Sequence, residues 1–272
     1  MMREEWLFPN RATPIGSSAY YSLRFAPARL RHDLAALLAW RHQVRAILDQ
    51  ASDPGVARLK LYWWREELER THAGEPRHPL SQVLQPVLER HRLPLAPFHE
   101  MSDEVEGEIL RRQPADEAAL ADSCRRDLGA LFELMARCQG IADASELETA
   151  RRLGAYCGRV YRIRDSGALA RKGRAAFRAD LLREHGLSTE ALTARARRGK
   201  LPELLAAAAA EARASRPPAE PTARQPACGR VRAAILTSLL DELERAGFDL
   251  ADRRIGLTPL RKLWIGWLES RK

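Results

Sequence analysis

Apolar residues recur at spacings of three and four along most of the chain, the period of a helix with one buried face. Leu30, Leu34, Leu37, Leu38, Val44 and Leu48 predict an amphipathic helix from about residue 28 to 50, with Pro27 at its start. Asp53-Pro54-Gly55 reads as a turn, and Leu61, Trp64 and Leu68 share one face of a second helix over 56–72 that Gly74 and Pro76 end. Further helices are predicted over 78–90, opened by Pro79, and over 97–110, 115–138 and 144–163. The last two hold Gly129, Gly154, Ala155 and Gly158, small residues that let helices approach closely at some cost in propensity. Residues 165–178 read as a Gly- and Arg-rich loop, and Ser188 reads as the N-cap of another helix. A Pro-rich stretch over 215–226 predicts an exposed connection. Beyond it, Val231, Ile235, Leu239 and Leu243 form an apolar stripe ended by Gly247, and a last helix opens at Thr258-Pro259 and closes near Leu268. The sum is one bundle of roughly eight to ten helices.

Composition agrees. With 7 Val and 8 Ile in 272 residues, the chain lacks the β-branched side chains a sheet protein of this size needs. The longest apolar runs, such as Leu34–Trp40 and Leu204–Ala210, fall short of the about 20 residues that span a bilayer. Residues 1–16 contain no apolar signal-peptide core and read as an extended N-terminal segment ahead of a helical domain over 17–272. Four widely separated cysteines, Cys124, Cys138, Cys157 and Cys228, show no metal-ligand spacing and read as reduced thiols of a cytoplasmic protein. The formal charge of +9 makes anionic partners worth weighing. Nine Arg or Lys against one acid lie within 151–178, a stretch open to three readings: a solvated basic face, a site for a diphosphate or an acidic lipid surface, or a nucleic-acid contact. No nucleic-acid-binding motif accompanies it, which disfavours the third.

Three stretches resemble the squalene/phytoene synthase family, which joins prenyl diphosphates head to head. Ser18-Ala19-Tyr20-Tyr21-Ser22-Leu23-Arg24-Phe25-Ala26-Pro27 is similar to the family's opening S-x-Y-Y-S-x-R-F-x-P. Residues 58–68 (RLKLYWWREEL), followed by Gly74-Glu75-Pro76-Arg77-His78-Pro79, resemble R-L-x-W-W-R-x-x-L and G-x-P-x-H-P. The tail over 240–262 resembles the family's L-x-x-L-E-x-x-G-F-D-L, R-R-x-x-L and R-K-L ending. The resemblance extends over nearly the whole chain and implies the all-α isoprenoid-synthase fold around a central cavity. The short apolar runs and the basic charge, for their part, leave a cytoplasmic location, or a peripheral one at the inner face of the membrane.

The family works through two aspartate-rich helical motifs that hold Mg²⁺ ions against the substrate's diphosphate, because hard carboxylate oxygens suit magnesium and carboxylates four apart share a helix face. This chain departs from both. Where the first motif should read F-C-R-x-V-D-D-x-x-D, it has Trp40-Arg41-His42-Gln43-Val44-Arg45-Ala46-Ile47-Leu48-Asp49, so only Asp49 survives. In the second, Arg164-Asp165 remains, Leu169 stands four residues on, and Gly173-Arg174 is kept without the usual Y-L-P. Asp49 and Asp165 are therefore the weak remnants of a metal site. Tyr20, Tyr21, Arg24, Arg45, Arg164 and Arg174 are the candidate diphosphate-binding residues. A guanidinium at position 45 repels a metal cation yet can pair with a diphosphate.

Three readings follow. The first is a degenerate, non-catalytic homologue needing no cofactor, which binds an isoprenoid or its diphosphate, or acts with a protein partner as an assembly factor. A mitochondrial assembly factor for respiratory complex I likewise looks like a squalene/phytoene synthase without its aspartates. The second is an active Mg²⁺-dependent prenyltransferase that recruits another acid such as Glu104. The third is a basic binder of membrane surfaces or nucleic acid. Glu100, Glu104 and Glu108 share one helix face and read more simply as a solvent-exposed row. His42 reads as structural or superficial, and Trp63 and Trp64, being adjacent, must point to different faces.

Overall fold

The computed structural model describes residues 4–189, 192, 199–218, 227–248 and 255–272. Among these there are twelve α-helical segments and no strand. Two segments run on through a π-helical turn as one rod, so the bundle slightly exceeds the expected helix number.

The described residues open with a 3-10 turn at Glu4–Trp6. Trp6 is buried, and the Asn10 amide donates to the Trp6 and Ala35 carbonyls at 2.9 and 3.1 Å, tying the segment to the bundle. Helix α1 (Ser18–Arg24) follows, capped by the Ser17 hydroxyl, which accepts from the Tyr20 amide. Helix α2 (Arg31–Gln50) is the centre of the fold. Every residue from Leu34 to Trp40 is buried, the signature of a helix enclosed on all sides, and Trp40 meets Phe98 edge-on at 4.9 Å.

Helices α3 (Pro54–His72), α4 (Pro79–His91) and α5 (Ala96–Ile109) pack around α2. Asp53 and His78 cap the first two, and each has proline in its first turn. Trp64 is core while Trp63 is 39% exposed, as their adjacency requires.

The helix expected over 115–138 is interrupted. It begins as α6 (Glu117–Cys124), widens into a π turn at Arg125–Gly129, and resumes as α7 (Ala130–Cys138). Helix α8 lies against this turn, and Gly129 and Gly154 are the contact. A Cβ on Gly129 would stand 2.8 Å from the Arg151 carbonyl oxygen, and one on Gly154 would collide with the Leu128 carbonyl. Gly129→Ala is therefore expected to destabilise the protein by about 2 kcal/mol, because backbone must give way; urea unfolding measures it.

Helix α8 runs from Ala144 to Arg171, eight residues beyond its expected end, so the first half of the segment expected as a loop is helical. The reason is a buried stripe that continues through Ile163, Ser166 and Ala170; the helix stops only before Gly173, whose φ is +64°. Helices α9 (Ala179–Glu184), α10 (Leu201–Ala214), α11 (Ala227–Arg245) and α12 (Pro259–Ser270) complete the bundle. The helix expected to start at Ser188, residues 219–226 of the Pro-rich stretch, and the Arg253-Arg254 part of the tail lie outside the described residues. All four cysteines are free and buried. No described helix is long and apolar enough to cross a membrane.

Candidate functional site

A cavity of about 590 Å³ opens between the N-terminal segment and helices α1, α2, α5, α8, α11 and α12. Part of its wall is apolar, from Ala12, Pro14, Leu38, Leu128, Leu131 and Leu169. The rest is strongly charged. Helix α2 contributes Arg41 and Arg45, α8 contributes Arg162, Arg164 and Asp165, and Glu108, Asp127, Arg232 and Lys262 come from four other places. Six cationic side chains thus face three carboxylates. Burial and the charges of Arg41 and Arg11 lower the His42 pKa, so this imidazole at the wall stays neutral at pH 7.

The π turn explains the geometry. It sets Asp127 opposite the face of α2 that carries Arg41 and Arg45, one helical turn apart. Arg41 Nε and Nη2 donate to the two Asp127 oxygens at 2.7 and 2.6 Å. Arg45 reaches the same carboxylate with Nη1 at 3.2 Å and Glu108 Oε1 with Nη2 at 2.7 Å. Burial alone would raise the Asp127 carboxyl; the Arg41 and Arg45 guanidiniums outweigh it and hold Asp127 well below the usual carboxylate range. Burial likewise works against the Arg45 charge, and Glu108 and Asp127 more than compensate, raising its pKa. Asp127 and Arg41 are absent from the candidate residues that the motifs single out.

The two motif remnants do not share this cavity. Asp165 lines it, but Arg164 Nε donates to Asp165 Oδ1 at 2.7 Å, and Arg164 also lies 4.5 Å from the centre of the Tyr161 ring. Asp49 lines a separate cavity of about 550 Å³ with Lys172 and Arg174. Lys172 donates to it at 2.8 Å and Arg174 bonds both it and the Leu48 carbonyl. Burial works to raise the Asp49 pKa, yet these two cations together outweigh it and leave it lowered. Of the six candidate anion-binding residues, Arg45 and Arg164 line the central cavity. Arg174 stands in the neighbouring one. Tyr20 stacks on Phe8 at 5.3 Å, Tyr21 is buried edge-on to Tyr20, and Arg24 is exposed; the cap Ser17 and the first α1 residues, Ser18 and Ala19, stand in the cavity wall.

The glutamate row of α5 is not the exposed face it was expected to be. Each member is half-buried and engaged: Glu100 with Arg151 at 2.6 Å, Glu104 with the Ser123 hydroxyl at 2.6 Å, and Glu108 with Arg45. Burial raises the Glu104 pKa, with Ser123 and Arg126 opposing. Nor is the basic stretch 151–178 a solvated face throughout. Arg151, Arg159 and Arg178 are buried, held by Glu133, Glu117 and Glu211 respectively. Charges that look like a binding surface in the sequence are mostly internal ion pairs.

This donor set does not fit Mg²⁺. Each carboxylate of the lumen already carries a guanidinium, and among the described residues no group of three or more His, Cys, Asp or Glu side chains is placed to hold a metal. Two cations of the wall are different. Among the described residues, the hydrogen bonds of Arg162 go to neutral groups, the Ala175 carbonyl at 3.1 Å and the Ser123 hydroxyl at 2.9 Å. Arg232 is 3% exposed, and its Nε and Nη2 are buried without a hydrogen-bond partner among the described residues. Its neighbours Cys157 and Cys228 are pushed up by burial to about 12 and about 11, so both stay neutral thiols.

The architecture and the cavity define an all-α isoprenoid-synthase fold. The squalene/phytoene synthase family model matches residues 13–261, and the chain belongs to that family. Its structure is similar to a dehydrosqualene synthase in complex with ligand (TM-score 0.73, 18% identity, covering 93% of this chain and 90% of that one). It is also similar to the squalene synthase HpnC from Alicyclobacillus acidocaldarius (0.68, 20%, 88% and 92%) and to YisP from Bacillus subtilis subsp. subtilis strain 168 (0.64, 14%, 92% and 89%). No curated protein matches it.

Proposed function

We propose that this family member binds an isoprenoid anion, such as a prenyl diphosphate, without metal-dependent prenyl transfer. The observation that carries the reading is Arg45, lodged between Glu108 and Asp127. A fixed cation there occupies both of the carboxylates a metal would need. At an effective dielectric near 20, a unit charge about 4 Å from another is worth about 4 kcal/mol, and a divalent ion feels twice that repulsion. The apolar wall accepts a hydrocarbon chain, and Arg162 and Arg232, which have no carboxylate partner among the described residues, meet the head group.

Purified protein incubated with Mg²⁺ and farnesyl or geranylgeranyl diphosphate is expected to release no diphosphate above background. The same ligands are expected to raise its melting temperature, and the rise to persist in EDTA. Turnover that Asp165→Asn abolishes would overturn the reading in favour of an active prenyltransferase. Absence of any shift would transfer the role to a protein partner, as in the assembly-factor alternative.

A further inference from the structure

Helix α12 packs on α11 and α1 through its narrowest side. Gly266 is its one buried residue; a Cβ there would stand 2.8 Å from Phe25 Cδ2 and 3.3 Å from Val231 Cγ1. The large apolar residues lie elsewhere. Leu260, Trp264 and Leu268 follow one another at four-residue spacing, with Leu263 and Trp267 beside them. The first three are 78, 60 and 45% exposed, and Trp267 stacks on Trp264 at 5.1 Å. Ile15, 77% exposed, stands next to this stripe, because Gly16 abuts Pro259 and its carbonyl accepts from Lys262 at 2.8 Å. An amphipathic helix of a globular protein turns its apolar stripe to the core. This helix turns it outward.

We propose that α12 and Ile15 form a docking surface for an anionic lipid bilayer. Residue type argues for that occupant: tryptophan and leucine on one face with Arg261, Lys262, Arg271 and Lys272 at the two ends, and Glu269 the sole acid of residues 259–272, is the composition of a helix lying in a membrane interface. Arg271 lies over Trp267, 3.8 Å from its ring centroid, placing a cation beside the aromatic ring, as the headgroup level demands. Net charge argues the same way. A chain of +9 is drawn to an anionic leaflet, whereas a second copy would bring equal charge against it. The surface also adjoins the rim of the central cavity, since Lys262 and the segment preceding α1 belong to the cavity wall. Docking would thus set the cavity beside the lipid phase.

Flotation of the full chain with vesicles tests this independently of any cavity ligand. Wild-type protein is expected to float with phosphatidylglycerol/phosphatidylcholine vesicles, less with pure phosphatidylcholine, and less at 0.5 M than at 0.1 M salt. Leu260→Ser/Trp264→Ser/Leu268→Ser changes only exposed positions and is expected to weaken partitioning at least about tenfold with an unchanged melting temperature. Should that variant lose fold, the single Leu260→Gln takes its place and is expected to reduce flotation measurably. Wild type that stays with the aqueous phase, variants that float as well as wild type, or a wild-type dimer that the triple variant dissolves would each overturn the assignment, the last giving this face to a second copy.

Discussion

Asp127→Asn is expected to cost about 3 kcal/mol of folding stability at pH 7, one of the largest effects of any single polar substitution in this protein. The carboxylate sits on the π turn between two guanidiniums that cannot discharge at any ordinary pH. An amide keeps the shape and some hydrogen bonding but leaves Arg41 and Arg45 facing each other, with Glu108 and the more distant Glu104 left to answer them. The pH dependence carries a definite sign. The folded Asp127 pKa is depressed, so its contribution is complete above the unfolded value near 3.9 and is lost as pH falls toward the folded pKa. The difference between wild type and Asp127→Asn should be flat from pH 8 to about 5 and shrink below about 4. Urea unfolding at pH 7 and pH 3 measures both. A difference that stayed constant to pH 3 would show that the loss comes from packing and not from the ion pair.

The helical bundle could be read from the sequence because it rests on a local signal: apolar spacing of three and four, punctuated by Asp53-Pro54, Gly74 and Thr258-Pro259, each of which ends or begins a helix in the structure. The site could be read only in part, because its charges act across the fold. Arg45 was visible as a substitution within a motif; its partners were not, since Glu108 is 63 positions away and Asp127 is 82. Asp127 falls in a stretch read as one regular helix, and a π turn has no clear spacing signature. One clue was present: an acid between Arg126 and Leu128 in an otherwise core-forming segment, in a chain rich in arginines that need counter-charges. Arg232 also left a trace. Cys228, Arg232, Ile235 and Leu239 follow the three-and-four spacing of the buried α11 stripe, so an arginine stands where an apolar residue belongs.

That misplaced arginine yields the second large expectation, with a sign opposite to the first. Arg232→Met should raise the stability of the ligand-free protein by about 1–3 kcal/mol, because a guanidinium stays charged, its burial is costly, and no carboxylate among the described residues offsets that cost. Methionine is long and pliant enough to fill the buried space the arginine leaves. The same substitution should reduce the melting shift given by farnesyl diphosphate at least about tenfold in apparent affinity, since a charge-assisted contact in a closed site is lost. Thermal unfolding with and without farnesyl diphosphate in EDTA reads both quantities from one preparation. A variant less stable than wild type, or one that binds the ligand as well, would remove Arg232 from the site, whereas Arg45→Met should weaken binding and also destabilise the protein by stranding Glu108. Opposite stability changes at two arginines of one cavity are what distinguish a guanidinium that serves the fold from one retained for a ligand.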